Sequence, residues 1–347
     1  MSEKQVVLSG IRPTAEDQHL GNYLGAIRYF VELSHRPELD CFFFIADQHA
    51  LTTSGTVFDA EGIRRGRRAI MLNLLAAGVN PNATIFAQSA VPETSELNWI
   101  LACLARVHEL EGMHHWMEKK DKLVTLGAEA NAGLLTYPVL MAADILGPRA
   151  SIVPVGKDQH QHVEFARDLA RTFNRVTGTS FFPVPDLHEH PEVTIKSLAK
   201  PAEKMGKSEM DGCVFLNDSD AEVHRKMARA ISDPQRQRRT DPGNPYICNV
   251  YSLHQELSDG PTIQWALTGC QDASIGCIEC KGRVAEGILQ ITRPIRERRQ
   301  ELEAQNPSKI DELLAEGNAR ARARIAPTVA EAKELMGLAE AAIVSSP

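Results

Sequence analysis

The sequence predicts an α/β protein, with a parallel sheet in its first part and a mostly helical region after it. Short apolar runs alternate with amphipathic segments through the first half of the chain, which is typical of parallel strands joined by crossover helices. After about residue 208 few strand patterns remain. With 347 residues, the chain is long enough for two domains. We therefore expect a Rossmann-like domain at residues 1–217 and a helical domain at residues 218–347.

Each predicted strand is a short apolar run, and each predicted helix is an amphipathic segment. The strands are predicted at 6–8, 41–46, 84–88 and 152–155, with helices at 23–33, 60–77, 96–110 and 162–173. In the second part, helices are predicted at 221–231, 284–291, 307–325 and 329–343, with a loop at 232–245. Ligands of such folds bind at the carboxyl ends of the strands. The segments 47–49 and 156–159, which follow strands directly, are therefore expected near the site.

The composition is that of an ordinary globular protein, with 43% apolar and 24% charged residues. The formal net charge of −7 argues against non-specific nucleic-acid binding over the whole surface, but it is compatible with local basic patches that bind RNA. No apolar run approaches the roughly 20 residues of a membrane span, and the N-terminus lacks a signal pattern. We therefore expect a cytoplasmic protein whose seven cysteines are reduced thiols or metal ligands.

Two short segments are suited to binding phosphate groups. The first, His19-Leu20-Gly21-Asn22, lies between a predicted strand and a predicted helix, where free backbone N–H groups favour an anion. The second, Lys204-Met205-Gly206-Lys207-Ser208, places two lysines and a serine on a glycine-containing loop, which suits a pyrophosphate leaving group. Either segment alone could be an ordinary turn with solvated lysines. Together, in this order, they resemble the HIGH and KMSKS signatures of class I aminoacyl-tRNA synthetases.

The resemblance to class I synthetases implies ATP with Mg²⁺ as a substrate. The catalytic residues that it implies are His19, Asn22, Lys204 and Lys207. The ATP-binding residues that it implies are Arg12, Thr14, Gly21, Asn22, Gly156, Asp158, Lys204, Met205, Lys207 and Ser208. Two departures from the family pattern are visible. The loop at 14–18 lacks a glycine and is one residue longer, and Gly206 stands where the family usually has serine.

The segment 134–146, LLTYPVLMAADIL, is the most informative about the amino-acid substrate. On a helix, Tyr137, Met141 and Asp144 share one face. That face offers a hydroxyl, a soft apolar wall and a carboxylate to a flat aromatic ring that carries an N–H. From spacing alone, a helix N-terminal cap or a surface acid is the alternative interpretation of Asp144. The segment resembles the Y-P-x-L-M-A-A-D-I-L sequence of tryptophanyl-tRNA synthetases, and 153–162 resembles the V-P-V-G-x-D-Q-x-x-H sequence of that family.

This second resemblance implies a site for tryptophan. Asp144 would accept the indole N–H with Met141 against the ring, Tyr137 and Gln159 would hold the α-amino group, and Asp158 would bind the ribose of ATP. The implied activity is formation of tryptophanyl-adenylate from tryptophan and ATP, followed by transfer to tRNA(Trp). The resemblance also implies a homodimer, with a helical insertion at 95–135 at the dimer interface.

Two other functions stay open at this point. A nucleotidyltransferase of the same superfamily would share the first motif without binding tRNA, although the long helical region and the Asp144 segment argue against it. A paralogue that binds tryptophan and ATP but has lost tRNA charging would serve a regulatory or binding role. The altered loop at 14–18 and Gly206 are compatible with such a paralogue.

Four of the cysteines follow the spacing C-x21-C-x6-C-x2-C, at Cys248, Cys270, Cys277 and Cys280. Such a set with a close pair is a thiolate metal-site pattern, and zinc is compatible with it. The segment 269–281 resembles a bacterial subset of tryptophanyl-tRNA synthetases that carries a [4Fe–4S] cluster in the C-terminal domain, usually with a first spacing one residue longer. Basic residues at 236–239 are compatible with RNA contact. His115 has no metal-site spacing and is interpreted as a surface residue.

Overall fold

The computed structural model of the chain describes residues 4–13, 17–53, 59–125, 129–189, 193–206, 210–305 and 308–338. Within them, five strands form one parallel sheet in the order β3-β2-β1-β4-β5. The strands are β1 (Gln5–Ile11), β2 (Leu39–Ile45), β3 (Thr84–Ala87), β4 (Ile152–Val155) and β5 (Asp186–Glu189). The strand order reverses between β1 and β4, which places the ligand crevice of a Rossmann-like sheet at their carboxyl ends.

The α/β fold class predicted from the sequence is confirmed, as are its four strands. The fifth strand, β5, was not predicted. Its sequence, Asp-Leu-His-Glu, lacks the apolar run of a buried strand. It pairs only with β4 at the edge of the sheet, where tertiary pairing rather than local sequence imposes the extended backbone.

Helices cover both faces of the sheet and make up most of the chain after residue 217. Those of the first part are α1 (Leu20–Asn22), which continues as a π-helical turn (Tyr23–Ile27) into α2 (Arg28–Ser34), then α3 (Asp47–Ala50), α4 (Ala60–Ala77), α5 (Pro92–Ala102), α6 (Val107–Glu111), α7 (His114–Thr125), α8 (Ala132–Leu146) and α9 (His160–Thr177). Those of the second part are α10 (Asp220–Arg229), α11 (Asn249–Leu257), α12 (Gly260–Gln271), α13 (Cys277–Gln305) and α14 (Lys309–Leu335).

Four helix predictions were wrong in their extent. The helix predicted at 96–110 is divided into α5 and α6, and the one predicted at 284–291 is the centre of the much longer α13. The two helices predicted at 307–325 and 329–343 form a single helix, α14, through Pro327, and residues 339–343 lie outside the described residues. Proline removes one helical hydrogen bond, but Ile325 and Val329 on either side are buried in the core, and this packing keeps the helix continuous.

The strands alternate their side chains between two cores. Val6 and Leu8 of β1 face a core shared with α5, α8, α9 and α14, whereas Val7 faces a core shared with α2 and α4. In β2, Phe42 and Phe44 face the first core and Phe43 faces the second. Because both faces of these strands are covered, their sequences are almost continuously apolar, as expected of a parallel sheet.

The C-terminal helix α14 packs directly against the edge strand β3. A Cβ atom added to Gly317 would lie only 1.8 Å from the carbonyl oxygen of Ile85, so only glycine allows this approach. The backbone N–H of Ala87 donates to Asn318 Oδ1 at 2.9 Å. This helix therefore covers a strand edge that would otherwise expose unpaired backbone groups.

A third core joins the two halves of the chain. It contains Leu20 and Leu24 near the start of the first helix, Met205 and Phe215 from the central loops, and apolar residues of α10, α11 and α13. Contacts therefore cross residue 217, and the division of the chain into two domains there stays a prediction. In the part of the chain that the structure describes, every helix is too short or too polar to span a bilayer.

Candidate active site

The main cavity, of about 790 Å³, lies at the carboxyl ends of β1 and β4, where the strand order reverses. Its volume is within the range of cofactor and substrate pockets. Its walls come from β1, the His19 motif, the end of β2, α7, α8 and β4. The polar and sulfur-containing side chains among its lining residues are Ser9, Arg12, Gln18, His19, Asn22, His49, Thr52, His115, Lys119, Tyr137, Met141, Asp144, Asp158 and Gln159.

One face of α8 forms a wall of this cavity. Tyr137, Met141 and Asp144 all line it, so the structure brings together the three side chains that helical spacing places on one face. The helix begins at Asn131, whose side chain accepts the Leu134 backbone N–H at 2.8 Å. Pro138 lies inside the helix.

Asp144 is buried and held by two neighbouring side chains. Its carboxylate contacts His49 Nε2 at 2.8 Å and accepts from Gln88 Nε2 at 2.9 Å on each oxygen. Burial raises the pKa of Asp144, and the hydrogen bonds from His49 and Gln88 oppose that rise. A carboxylate has about four lone-pair directions, so these contacts leave it able to accept a further hydrogen bond from a ligand in the cavity.

Gln88 fixes the position of His49 as well as that of Asp144. Its Oε1 accepts the backbone N–H groups of Gln48 at 3.1 Å and His49 at 3.3 Å. The segment 47–49, which follows β2 directly, was expected near the site, and His49 does line the cavity. Gln88 has no sequence signal of its own, because only the pairing of β2 with β3 brings it beside α8.

Tyr137 lies between two histidines. Its hydroxyl is 2.8 Å from His162 Nε2 and 3.2 Å from His115 Nδ1. Burial raises the pKa of Tyr137 to about 12 and lowers the pKa of His162 to about 4. Both groups are therefore neutral near pH 7. The interpretation of His115 as a surface residue was wrong, because α7 folds against α8 and turns this side chain into the cavity.

Positive charge reaches the cavity from Arg12 and Lys119. Lys119 Nζ lies 5.1 Å from the centre of the Tyr137 ring. Burial lowers the pKa of both cations, and the nearby Arg12 lowers that of Lys119 further. Such partly desolvated cations interact strongly with anionic ligands. Arg12 was among the residues predicted from the sequence, whereas Lys119 was missed because its exposed helix gives no distinguishing pattern.

The first motif forms a compact capping structure. His19 Nδ1 accepts the backbone N–H of Asn22 at 3.3 Å, while Asn22 Oδ1 accepts the backbone N–H of His19 at 3.1 Å. This reciprocal pair is a capping box. A Cβ atom on Gly21 would lie 3.0 Å from the His19 ring, so glycine leaves room for that ring. His19 and Asn22 both line the cavity.

The second motif lies beside the first, although the two are far apart in sequence. The backbone N–H of Met205 donates to Ile195 O at 2.7 Å, and Ile195 lies next to Gly21, 3.7 Å from a Cβ built there. Lys204 pairs with Lys196 in a short antiparallel bridge. Its side chain is exposed and is not among those that line the cavity.

Three predicted residues of the two motifs lie outside the described part of the chain, and a fourth motif residue, Gly206, has room for a side chain. Thr14, Lys207 and Ser208 lie outside the described residues. A Cβ atom on Gly206 would meet only Lys204 O, at 3.7 Å. This is an ordinary contact, so packing among the described residues does not require glycine here.

The turn after β4 contributes the remaining predicted residues. Asp158 and Gln159 line the cavity, and Gln159 Nε2 donates to Asp158 Oδ2 at 2.8 Å. A Cβ atom on Gly156 would lie 2.9 Å from Asp158 Oδ1. Glycine at this position therefore leaves space for the carboxylate at the edge of the cavity.

The four cysteines that share the metal-site spacing converge in the second part of the chain. Cys248, Cys270, Cys277 and Cys280 line one small cavity together with Arg236. Among the described residues, no group of three or more His, Cys, Asp or Glu side chains is arranged to hold a metal ion. The four cysteines that share this spacing therefore lie at one cavity, and their role as metal ligands stays a prediction.

The surroundings of these thiols are partly charged and tightly packed. Arg236 Nη1 lies 3.9 Å from Cys270 Sγ, and Arg236 Nε is buried with no hydrogen-bond partner among the residues that the structure describes. His254 Nε2 lies 3.2 Å from Cys280 Sγ. A Cβ atom on Gly243 would lie 2.6 Å from Cys270 Sγ, so glycine leaves room for the sulfur. Burial, with the neighbouring thiols, raises the pKa of Cys280 to about 12.

Comparison with known proteins gives a consistent result. The family model described as tRNA synthetases class I (W and Y) matches residues 1–292. The tryptophan–tRNA ligase of Porphyromonas gingivalis is 39% identical over 335 residues, covering 96% of this chain and 99% of its own. That of Deinococcus radiodurans is 35% identical over 332 residues, covering 95% and 98%.

A solved structure agrees with the sequence relatives. Tryptophanyl-tRNA synthetase from Campylobacter jejuni, complexed with ADP and tryptophan, has a TM-score of 0.80 to this chain at 30% identity. The match covers 96% of this chain and 100% of that one. The chain therefore belongs to the class I tRNA synthetases of the tryptophan and tyrosine group, and within it to the tryptophan–tRNA ligase family.

Proposed function

We propose that this chain activates tryptophan with ATP and transfers the tryptophanyl group to tRNA(Trp). The observation that carries the proposal is the position of the Tyr137, Met141 and Asp144 wall in the same cavity as His19 and Asn22. One end of the cavity offers an acceptor and an apolar surface, and the other offers a motif suited to phosphate. The relatives named tryptophan–tRNA ligase support the same reaction.

The amino-acid end of the cavity suits an indole. Asp144 is surrounded by His49 and Gln88, which donate to it, so it acts as an acceptor. An indole N–H is a donor only, whereas a phenol oxygen both donates and accepts and would need further partners. Met141 would pack against the ring. A buried partner left unpaired by the wrong amino acid can be worth about 10⁴–10⁵-fold in selectivity.

The polar groups around Tyr137 suit the amino and carboxylate groups of the substrate. Tyr137 and Gln159 would hold the α-amino group, with the neutral His162 keeping the Tyr137 hydroxyl in place. Lys119 and Arg12 would place positive charge near the carboxylate and the phosphates. Asp158 would bind the ribose hydroxyls of ATP.

The reaction needs positioning and charge neutralisation rather than a covalent intermediate on the protein. A carboxylate oxygen of tryptophan attacks the α-phosphorus of ATP. The new O–P bond forms as the bond from the α-phosphorus to the bridging oxygen breaks, and pyrophosphate leaves with that electron pair. His19, Asn22, Lys204 and Lys207 would stabilise the negative charge that develops on the phosphates. Mg²⁺, which usually enters such sites on the substrate phosphates, would neutralise part of that charge.

The cysteine site fits a [4Fe–4S] cluster held by Cys248, Cys270, Cys277 and Cys280, with zinc as the alternative. Four thiols converge on one cavity, and the unpaired donor of Arg236 offers charge compensation to an anionic cluster. The described side chains form no ready-made site for zinc or for a cluster, so the choice of the cluster over zinc rests on the resemblance of residues 269–281. Four protein thiolates leave no open coordination position, so a structural role in the helical region fits this site better than a catalytic one.

A homodimer is the quaternary state that we propose. In the predicted interface region at 95–135, Leu101 and Met113 belong to the core, but Trp99 and Val107 are 70% and 63% exposed. Large apolar side chains exposed to this extent in neighbouring helices are typical of protein interfaces.

The activity itself is tested by tryptophan-dependent exchange of pyrophosphate into ATP. We expect exchange with tryptophan and little or none with tyrosine. The Lys204→Ala variant should exchange far more slowly while it binds tryptophan with unchanged affinity, because this lysine acts on phosphate charge in the transition state. Failure of tryptophan to drive exchange, or a faster reaction with tyrosine, would contradict the proposal.

The Asp144→Asn variant should bind tryptophan about 5- to 150-fold more weakly, equivalent to about 1–3 kcal/mol. The amide replaces a charge-assisted acceptor by a neutral one and presents an NH₂ group to the donors His49 and Gln88. Calorimetric titration with tryptophan measures the change. Asp168→Asn, at an exposed acid on α9, is the matched control. Equal affinities for all three proteins would exclude the assigned role of Asp144.

Anaerobically purified protein should be brown and contain about four irons per chain. The Cys280→Ser variant should lose iron, whereas Cys103→Ser, at an exposed cysteine, should retain it. Metal analysis that finds one zinc and no iron would change the metal but keep the ligands. Free alkylation of these four thiols in native, metal-free protein would rule out the site.

Sedimentation equilibrium should give twice the mass of one chain. The Trp99→Glu variant should shift the protein towards monomer, because a charge would replace an exposed aromatic side chain at the interface. Val176→Glu is the control at an exposed apolar residue of α9 outside this region. A monomer mass for the unaltered chain at all concentrations would refute the dimer.

A further inference from the structure

A mostly buried ion pair joins α13 to the residue two positions before His19. Arg299 Nη1 donates to Asp17 Oδ2, and the two side chains are only 15% and 10% exposed. Asn73 of α4 is fully buried and accepts from Arg299 Nη1 at 3.2 Å. Its Nδ2 donates to Asp17 Oδ1. Three elements that are distant in sequence thus meet at one carboxylate.

The same contacts fix Gln18, which adjoins His19 and lines the main cavity. Asp17 Oδ1 accepts the backbone N–H of Gln18 at 2.8 Å. Asn73 Nδ2 donates to Gln18 Oε1 at 2.6 Å. Because Gln18 is 1% exposed and held by both its backbone and its side chain, movement of Asp17 would be transmitted directly to His19.

The helix α13 also supports the other side of the His19 motif. The backbone of 18–20 pairs with 214–216, since Leu216 N–H donates to Gln18 O at 2.9 Å and Leu20 N–H donates to Val214 O at 2.8 Å. Just beyond that segment, Arg296 donates to Asp218 O and, with Arg293, holds the Asp220 carboxylate. Arginines on one helix therefore hold both chain segments that enclose His19.

We propose that Arg299 is a positioning residue for ATP activation, acting through Asp17 and Gln18 on His19 and Asn22. It does not line the cavity itself. The inference rests on the proposed function, because it assigns His19 and Asn22 to the phosphates of ATP. A displacement of about 1 Å caused by a change far from the chemistry can cost about 10²-fold in rate.

Loss of the Arg299 contact is expected to impair the use of ATP but not the binding of tryptophan. Loss of Arg299 would leave a poorly solvated carboxylate with Asn73 as its main remaining partner, so Asp17 would move towards water. The tryptophan wall on α8 makes none of these contacts. The defect should therefore fall on ATP and spare tryptophan, whereas general destabilisation would affect both.

The experiment compares Arg299→Ala and Arg299→Lys with Arg298→Ala in the full chain. Arg298 is the adjacent arginine on the same helix; it is exposed, and no ion pair is found for it among the described residues. We expect Arg299→Ala to lower kcat/KM for ATP in pyrophosphate exchange by up to about 100-fold. Its Kd for tryptophan should stay within about twofold, Arg299→Lys should recover part of the loss, and Arg298→Ala should match the unaltered chain.

A second variant separates positioning from folding. Asp17→Asn should reproduce the ATP defect, and the double variant with Arg299→Ala should be no worse than either single one, because both remove the same link. Additive losses, a parallel loss of tryptophan affinity, or an Arg299→Ala protein with the same kcat/KM for ATP as Arg298→Ala would overturn the inference.

If the unaltered chain fails to exchange with tryptophan, the proposed function fails instead. Calorimetric ATP affinities of the same variants would then decide the role of Arg299: a weaker Kd for Arg299→Ala than for Arg298→Ala supports it, and equal values overturn it.

Discussion

The rest of the site depends on the pairing of residues 18–20 with residues 214–216. Two backbone hydrogen bonds and an antiparallel bridge between His19 and Phe215 join these segments. Residues 18–20 lie near the carboxyl end of β1, and residues 214–216 lead into the helical region. Since Leu20, Met205 and Phe215 also share one core, the two phosphate motifs cannot move independently without exposing apolar surface. Their proximity is thus a consequence of packing rather than of sequence distance.

The polar groups that line or adjoin the cavity lie in three different environments: a buried acceptor, a neutral pair and two cations. Asp144 is buried among donors, so it can accept from a ligand N–H even though desolvation raises its pKa. Tyr137 is half-buried and His162 is buried, and desolvation keeps both neutral near pH 7. Arg12 and Lys119 bring positive charge to the cavity wall. An amino acid with an apolar ring, a ring N–H and a carboxylate is complementary to all three regions.

The sequence was informative where local pattern and tertiary environment agree. The four apolar strands follow from short apolar runs, and the shared face of α8 follows from the 3.6-residue period of a helix. The spacing of the four cysteines pointed to residues that do line one cavity. Edge strand β5, Gln88, His115 and Lys119 could not be predicted, because their positions depend on which elements pack together. The prediction of two helices in place of α14 was wrong for the same reason: burial of Ile325 and Val329 keeps the helix continuous through Pro327 despite one lost hydrogen bond.

Of the two long C-terminal helices, α14 packs against the sheet and α13 supports the His19 motif. Gly317 allows α14 to cover the edge of β3, while α13 carries Cys277 and Cys280 in its first turns and Arg299 about 33 Å further along its axis. Val284 and Ile288, between these two ends, are fully buried against α10 and α11. This intervening packing anchors the arginine end of α13 independently of the cysteine end. A disturbance confined to the thiols should therefore loosen α12 and the start of α13 before it reaches His19.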